Sequence, residues 1–372
     1  MDRKRNYRAV MFFSTAIAVM PLCAGAVLKK MPEISEKTIN ITADIPYPDS
    51  RTESINSEQS FIGRSALDIE DAPEETETHL PDGEEIPTPM PSEEVLEALP
   101  YPADLTDHDG IIEKTNYSGY SGEQYFDLDG GGQVRNLTWH SNADLLDISR
   151  TGRVFDIETG TDEPQILIYH THTTESFELE DKDWYDSDFS GKSTDPDKNI
   201  TAVGNEICKQ LESYGITVLH DTLVHDWPSY DAAYDSSRET VKELLEKYPS
   251  VKAAIDIHRD GIETKDHLRP APVAMTDEGE AAQIMIISGC DDGTMDMPNY
   301  LNNFRFACQL QSKAESLYPT FTRPILFDYR FYNQDLTDGS LLIEVGSHGN
   351  TLEQAKLSGK LIGKALGELF TE

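Results

Sequence analysis

Positive charge is scarce in this 372-residue chain: 31 Lys and Arg stand against 68 Asp and Glu, a formal net charge of −37. That balance argues against nucleic acid as a partner, because phosphate binding is driven by clustered Lys and Arg. It equally disfavours anionic lipid binding through a folded region, while keeping the molecule soluble. Cysteine is scarce too. Cys23, Cys208, Cys290 and Cys308 show no C-x-x-C spacing, which argues against a thiolate zinc site and against a disulfide framework. Cys208 falls in an amphipathic pattern and reads as a small buried hydrophobe. No internal repeat at solenoid or propeller periods is present.

Residues 1–30 stand apart from the rest. Arg3, Lys4, Arg5 and Arg8 precede an uncharged, mostly apolar stretch from Ala9 to Leu28, closed by Lys29 and Lys30. About 20 such residues can cross a bilayer as one helix, with the basic leading end kept cytoplasmic. A single-pass anchor is therefore expected at residues 1–30, with the remainder exported to the extracytoplasmic side. A cleaved signal peptide is the alternative, since Ala24-Gly25-Ala26 offers a small-residue cleavage site. Residues 31–105 read as an acidic, Pro-rich disordered linker, with EDAPEETETHLPDGEEIPTPMPSEE at its centre and almost no aromatics. Such a segment cannot bury enough apolar surface to offset the entropy of ordering it. It would tether a globular head to a membrane, and that head is expected over residues 106–372.

Within the head, the pattern alternates between strand and helix. Ile200, Val203, Ile207, Leu211 and Tyr214 fall at helical spacing, and Gly215 closes that helix. Residues 216–220, 283–288 and 324–329 read as strands, and 236–248, 298–317 and 351–370 as helices. Alternation of this kind predicts an α/β fold, a mostly parallel or mixed twisted sheet with helices on both faces.

Three strand-like runs deliver chemistry at or near their carboxyl ends, where open α/β sheets place their ligand crevice. ILIYHTHTTESF (residues 166–177) carries His170, His172 and Glu175. VKAAIDIHRDG (residues 251–261) carries Asp256, His258 and Arg259, and GSLLIEVGSHG (residues 339–349) carries Glu344 and His348. His172 and Glu175 form an H-x-x-E pair, one helical turn apart, that can aim at a single point. Imidazole nitrogen and carboxylate oxygen suit Zn2+ held tetrahedrally with one position open. Expected ligands are His172, Glu175 and His258. Glu344, arriving from another strand, is the expected general base. His170 is either a group that orients the ligands, a substrate contact, or a packed histidine at the strand end. Asp256 could fix the tautomer of His258 or pair with Arg259. His348 is a candidate for oxyanion stabilisation, and the polar loop Tyr332, Asn333, Gln334 and Asp335 could line a substrate cleft.

HTHTTES, NITAVG, YDAAYDSSR, IDIHRDG and YNQDLTDGSLLIEVG, in that order, resemble the catalytic domain of the stage II sporulation protein P family, over roughly residues 110–372. The resemblance implies an amidase-like fold and a membrane-anchored, zinc-dependent N-acetylmuramoyl-L-alanine amidase acting on peptidoglycan in engulfment. It also implies an endopeptidase activity on stem-peptide cross-links, a lytic transglycosylase partner and a membrane scaffold. His172, His258 and Glu344 match that family's essential positions. Glu175 rests on H-x-x-E geometry alone: in related amidases the glutamate ligand comes later, where STDPDKNITAVG here offers only Asp195 and Asp197. Two other readings stand beside this one, a non-catalytic wall-binding scaffold and a zinc carboxypeptidase acting on stem peptides.

Overall fold

ILIY, AAIDIHRD and LLIEVGS are apolar on alternate and intervening positions alike, the pattern of strands covered on both faces. They are the central strands of the fold. The structure is a computed structural model and describes residues 88–371, all within one compact unit, Glu58–Glu372. The expected membrane helix and most of the expected linker lie outside the described residues, among which no helix is long and apolar enough to cross a membrane.

In chain order the elements are α1 (Glu93–Leu96), β1 (Gly110–Thr115), β2 (Tyr125–Asp127), β3 (Gln133–Asn136), α2 (Asn142–Ser149), β4 (Ile166–Tyr169), β5 (Trp184–Tyr185), α3 (Thr201–Ser213), β6 (Val218–His220), α4 (Ala233–Lys247), β7 (Ala253–Asp260), β8 (Leu268–Thr276), β9 (Gly279–Ala282), β10 (Ile284–Gly289), α5 (Tyr300–Leu317), β11 (Ile325–Asp328), β12 (Leu341–Ser347) and α6 (Leu352–Thr371). The main sheet has eight strands in the order β2-β3-β11-β10-β12-β7-β4-β6. Strands β12, β7, β4 and β6 run parallel; β10 turns the direction by pairing antiparallel with β12, and β11 and β3 follow it in parallel. The sheet is therefore mixed, as the alternation of strands and helices allowed.

One face carries Ile166, Ile168, Ile255, Ile257, Ile343 and Val345 into the large core shared with α3, α5 and α6. The opposite face sets Leu167, Tyr169, Leu219 and Ala254 against Val241 and Leu244 of α4. Helices α3 and α6 approach closely because Gly359, Gly363 and Gly367 recur every four residues along one side of α6. A Cβ at Gly363 would stand 2.8 Å from the Ile207 carbonyl oxygen. Cys208, Cys290 and Cys308 are buried and free.

Three features depart from the expectations. A second sheet, ordered β5-β1-β8-β9, flanks the site region. The stretch from 88 to 105, which composition placed in the linker, is partly docked on the head. There Thr194 N donates to the Leu99 carbonyl, and Tyr101 packs edge-on against Phe189 with ring centroids 4.8 Å apart. Finally, Glu344 does not end its strand: β12 runs on to Ser347, with a register irregularity between Glu344 and Ser347.

Candidate active site

Register brings the acid and the base level. Glu344 on β12 lies opposite His258 on β7, and Tyr169 at the end of β4 lies opposite Asp256. Parallel neighbours in register present side chains to the same face. Beyond Tyr169 the chain leaves the sheet and turns, with the Glu175 amide donating to the His172 carbonyl. That turn carries His172 over the end of β7. The His172 and His258 rings stand 5.3 Å apart and perpendicular. Glu175 Oε2 is 3.7 Å from His258 Nδ1 and accepts the Arg259 amide at 2.9 Å.

The four expected functional residues thus share one neighbourhood, lined by Tyr230, Tyr234 and Tyr332. Tyr230 stacks on His172 at 4.3 Å, and Tyr234 lies edge-on to His172 and parallel to His258. Tyr234 in turn meets Tyr332 at 5.5 Å.

Electrostatics distinguish the groups. Burial, reinforced by neighbouring His258, holds His172 down to about 3, so its imidazole is neutral. Burial also opposes charge on His258, but the Asp256 carboxylate 2.9 Å from Nε2, aided by Glu175 and Glu344, overrides it and lifts His258 to about 10. Asp256 is itself fixed by the Thr171 amide and hydroxyl, at 2.9 and 2.7 Å. Burial, with Asp260 next in importance, pushes Glu344 up to about 8. Burial likewise raises Glu175 against the pull of His258 and Arg259.

His258 Nε2 faces the Asp256 carboxylate, whereas buried His172 Nδ1 and Glu344 Oε2 have no hydrogen-bond partner. Buried polar groups are ordinarily satisfied, so two such atoms in one cluster single it out as a candidate ligand site. Two imidazoles and a carboxylate are the donor chemistry of a catalytic zinc centre. The residues present fit that ion. Their donors are not drawn as tight as those of Asp107, Asp186 and Asp188, whose ligand atoms all lie within 4.8 Å of one another.

The remaining expectations divide. His170 is a packed histidine: Nδ1 meets the Ile257 carbonyl at 3.0 Å and Nε2 meets His220 at 2.9 Å. Both ring nitrogens are engaged, and alternation with His172 fails because the strand has already ended. Arg259 spends its guanidinium on the carbonyls of Ser176 and Gly191, both at 2.7 Å, tying two loops together. His348 faces Arg259 at 3.5 Å and Glu263 at 4.0 Å rather than the imidazole pair. Asn333 donates to the Tyr234 carbonyl at 3.0 Å, so it braces the aromatic wall instead of opening onto a cleft. Gln334 bonds Gly289 and Ile287, and Asp335 pairs with Arg238. Asp195 pairs with Lys198 at the entrance to α3.

Sequence reasoning missed Asp226 and Lys192. Asp226 is buried, held by the Thr174 amide and hydroxyl, with Oδ2 3.9 Å from His172 Nδ1. Tyr230 and Tyr234 carried a usable signal, an i, i+4 aromatic pair leading into α4.

The family model for stage II sporulation protein P matches residues 69–367. This chain belongs to that family. Stage II sporulation protein P of Bacillus subtilis (strain 168) is 31% identical over 225 residues, covering 57% of this chain and 53% of the relative. The chain thus matches about half the length of that curated relative. Among solved structures, the N-acetylmuramoyl-L-alanine amidase AmiC2 of Nostoc punctiforme is similar at 14% identity, covering 57% of this chain and 97% of that one, with a TM-score of 0.36. The N-acetylmuramoyl-L-alanine amidase of Clostridium difficile 630 is similar at 13% identity, covering 56% and 96%, with a TM-score of 0.34. Identity and overlap this low leave the activity to be argued from the site.

Proposed function

We propose that this chain is a zinc-dependent peptidoglycan hydrolase that cuts the N-acetylmuramoyl-L-alanine amide bond during sporulation. One observation carries the reading: two perpendicular imidazoles 5.3 Å apart, one with a buried unpartnered nitrogen, lie beside a glutamate of the next strand. Family membership supports it. His172, Glu175 and His258 would hold the ion. Bound zinc would supply a Lewis acid for the amide carbonyl and acidify a water towards neutrality.

The chain's own groups do the rest. Glu344, which keeps one buried oxygen without a partner, would take a proton and return it to the leaving amine as the general acid–base. Asp256, clamped by Thr171, holds the His258 ring in place. Asp226 stands beside Nδ1 of His172. Tyr230, Tyr234 and Tyr332 wall one side of the site.

The same site is proposed to cut stem-peptide cross-links. An anchor at residues 1–30 would hold the head at the membrane, facing the wall. A lytic transglycosylase and a membrane scaffold are the proposed partners; these features rest on the family resemblance.

Purified full chain, supplied with zinc and incubated with sacculi, tests the reading by mass spectrometry of the released ends. New L-alanine amino termini are expected. Intact sacculi would leave a wall-binding scaffold, and loss of carboxyl-terminal stem residues alone would indicate a carboxypeptidase.

A further inference from the structure

Lys192 is placed beside the site by a rigid piece of backbone. It forms an isolated antiparallel bridge with Glu175, in which the Ser176 amide donates to Gly191 and the Ser193 amide to Thr174. Residues paired across an antiparallel bridge project their side chains to the same side. The Lys192 side chain therefore emerges with that of Glu175, towards the imidazoles. Gly191 fixes the preceding turn: it adopts φ +68°, and a Cβ there would meet the Arg259 guanidinium at 3.0 Å. The ammonium ends 3.7 Å over the ring of Tyr230, the same ring that stacks on His172.

This half-buried ammonium has the π face of Tyr230 for a neighbour and, among the described residues, no carboxylate within 4.0 Å. The two acidic groups nearby are otherwise engaged. Asp226 accepts from Thr174 through both oxygens, and Glu175 accepts from Arg259 and faces His258. A partly desolvated ammonium that rests on a ring, with Asp226 and Glu175 attracting it only from beyond direct contact, is incompletely paired, whereas buried charges are ordinarily paired closely. In a chain with 68 acidic residues, a lysine held at the site without an acid partner leaves room for an anionic group of the substrate.

We propose that Lys192 receives a free carboxylate of the stem peptide, on the residue adjoining the scissile L-alanine amide. The proposal deepens the peptidoglycan reading and rests on it. Lys192 is then a specificity determinant: a charge-assisted contact to the carboxylate favours acidic stems over their carboxamide counterparts. Tyr230 carries the ammonium on one face while it stacks on His172, so the ring links the two groups.

Two muropeptides that differ only in a carboxylate or a carboxamide at the residue after L-alanine provide the test, with zinc-supplied full chain as enzyme. Wild type is expected to prefer the carboxylate substrate in kcat/KM by about 10- to 100-fold, the size of one charge-assisted hydrogen bond. Lys192→Gln should bring that ratio close to one, and Lys192→Arg should keep most of it. A ratio between two substrates of one enzyme is insensitive to the fraction of protein that is folded, so a merely structural lysine would leave it unmoved. Equal rates on both substrates in the wild type, or an unchanged ratio in Lys192→Gln, would overturn the proposal. If wild type cleaves neither, the hydrolase reading falls and the subsite falls with it.

Discussion

Asp256 and Glu344 illustrate two different uses of a buried carboxylate at the residue scale. Asp256 takes three contacts, from the Thr171 amide, the Thr171 hydroxyl and the His258 ring, so its task is orientation. Glu344 keeps one buried oxygen without a partner, which suits a group that must accept a proton. Asp256→Asn is therefore expected to weaken zinc binding by about 10- to 100-fold, the usual cost of losing a partner behind a metal ligand. Glu344→Gln should retain its zinc and lose about 10²- to 10⁴-fold in turnover. Metal analysis alongside muropeptide kinetics separates the two outcomes. Titration adds a further expectation. In the metal-free protein the folded pKa of His258 is raised from 6.5 to about 10, and that of Glu344 from 4.5 to about 8. Both groups bind more protons folded than unfolded at slightly alkaline pH, so stability falls as pH rises. The stability from His258 is fully present below about 6.5 and lost through about 10; that from Glu344 is lost through about 8. The melting temperature of chelator-treated protein should decline from pH 7 to 9, and His258→Gln should flatten the decline.

Strands that carry the chemistry were legible at the scale of elements, because β4, β7 and β12 are apolar runs that stop at or beside polar clusters. Helices α3, α4, α5 and α6 were legible from their 3.6-residue stripes. What stayed hidden has a common cause: it depends on residues distant in sequence. β8 and β9 form a hairpin whose partner is β1, more than 150 residues earlier in the chain. Roles for His170 and His348 could not be told from local spacing, since Ile257, His220 and Arg259 decide them. Lys192 had no motif at all; only its bridge to Glu175 brings it to the site. The glycine ladder of α6 belongs here too. A Cβ at Gly363 would press on Gln210 at 2.6 Å and on the Ile207 carbonyl at 2.8 Å. Gly363→Val should therefore cost about 1–3 kcal/mol through overpacking, read from urea unfolding of the full chain.

The whole molecule couples an acidic leader to a head whose site is assembled from three parallel strands and two loops. Part of the leader is docked, through Leu99 against Thr194 and Tyr101 against Phe189. Thr194 lies two residues from Lys192, so the docked strip also braces the loop that carries the ammonium. Comparing proteins that start at residue 88 and at residue 106 should show the shorter one melting at least about 2 °C lower. At this scale the account stands on one claim, that His172, Glu175 and His258 share a single ion in reach of Glu344. Anomalous diffraction at the zinc edge, from crystals of the zinc-loaded protein, tests it most directly. The account predicts one strong peak bounded by His172, Glu175 and His258. A peak at Asp107, Asp186 and Asp188 with none between the two imidazoles would contradict it.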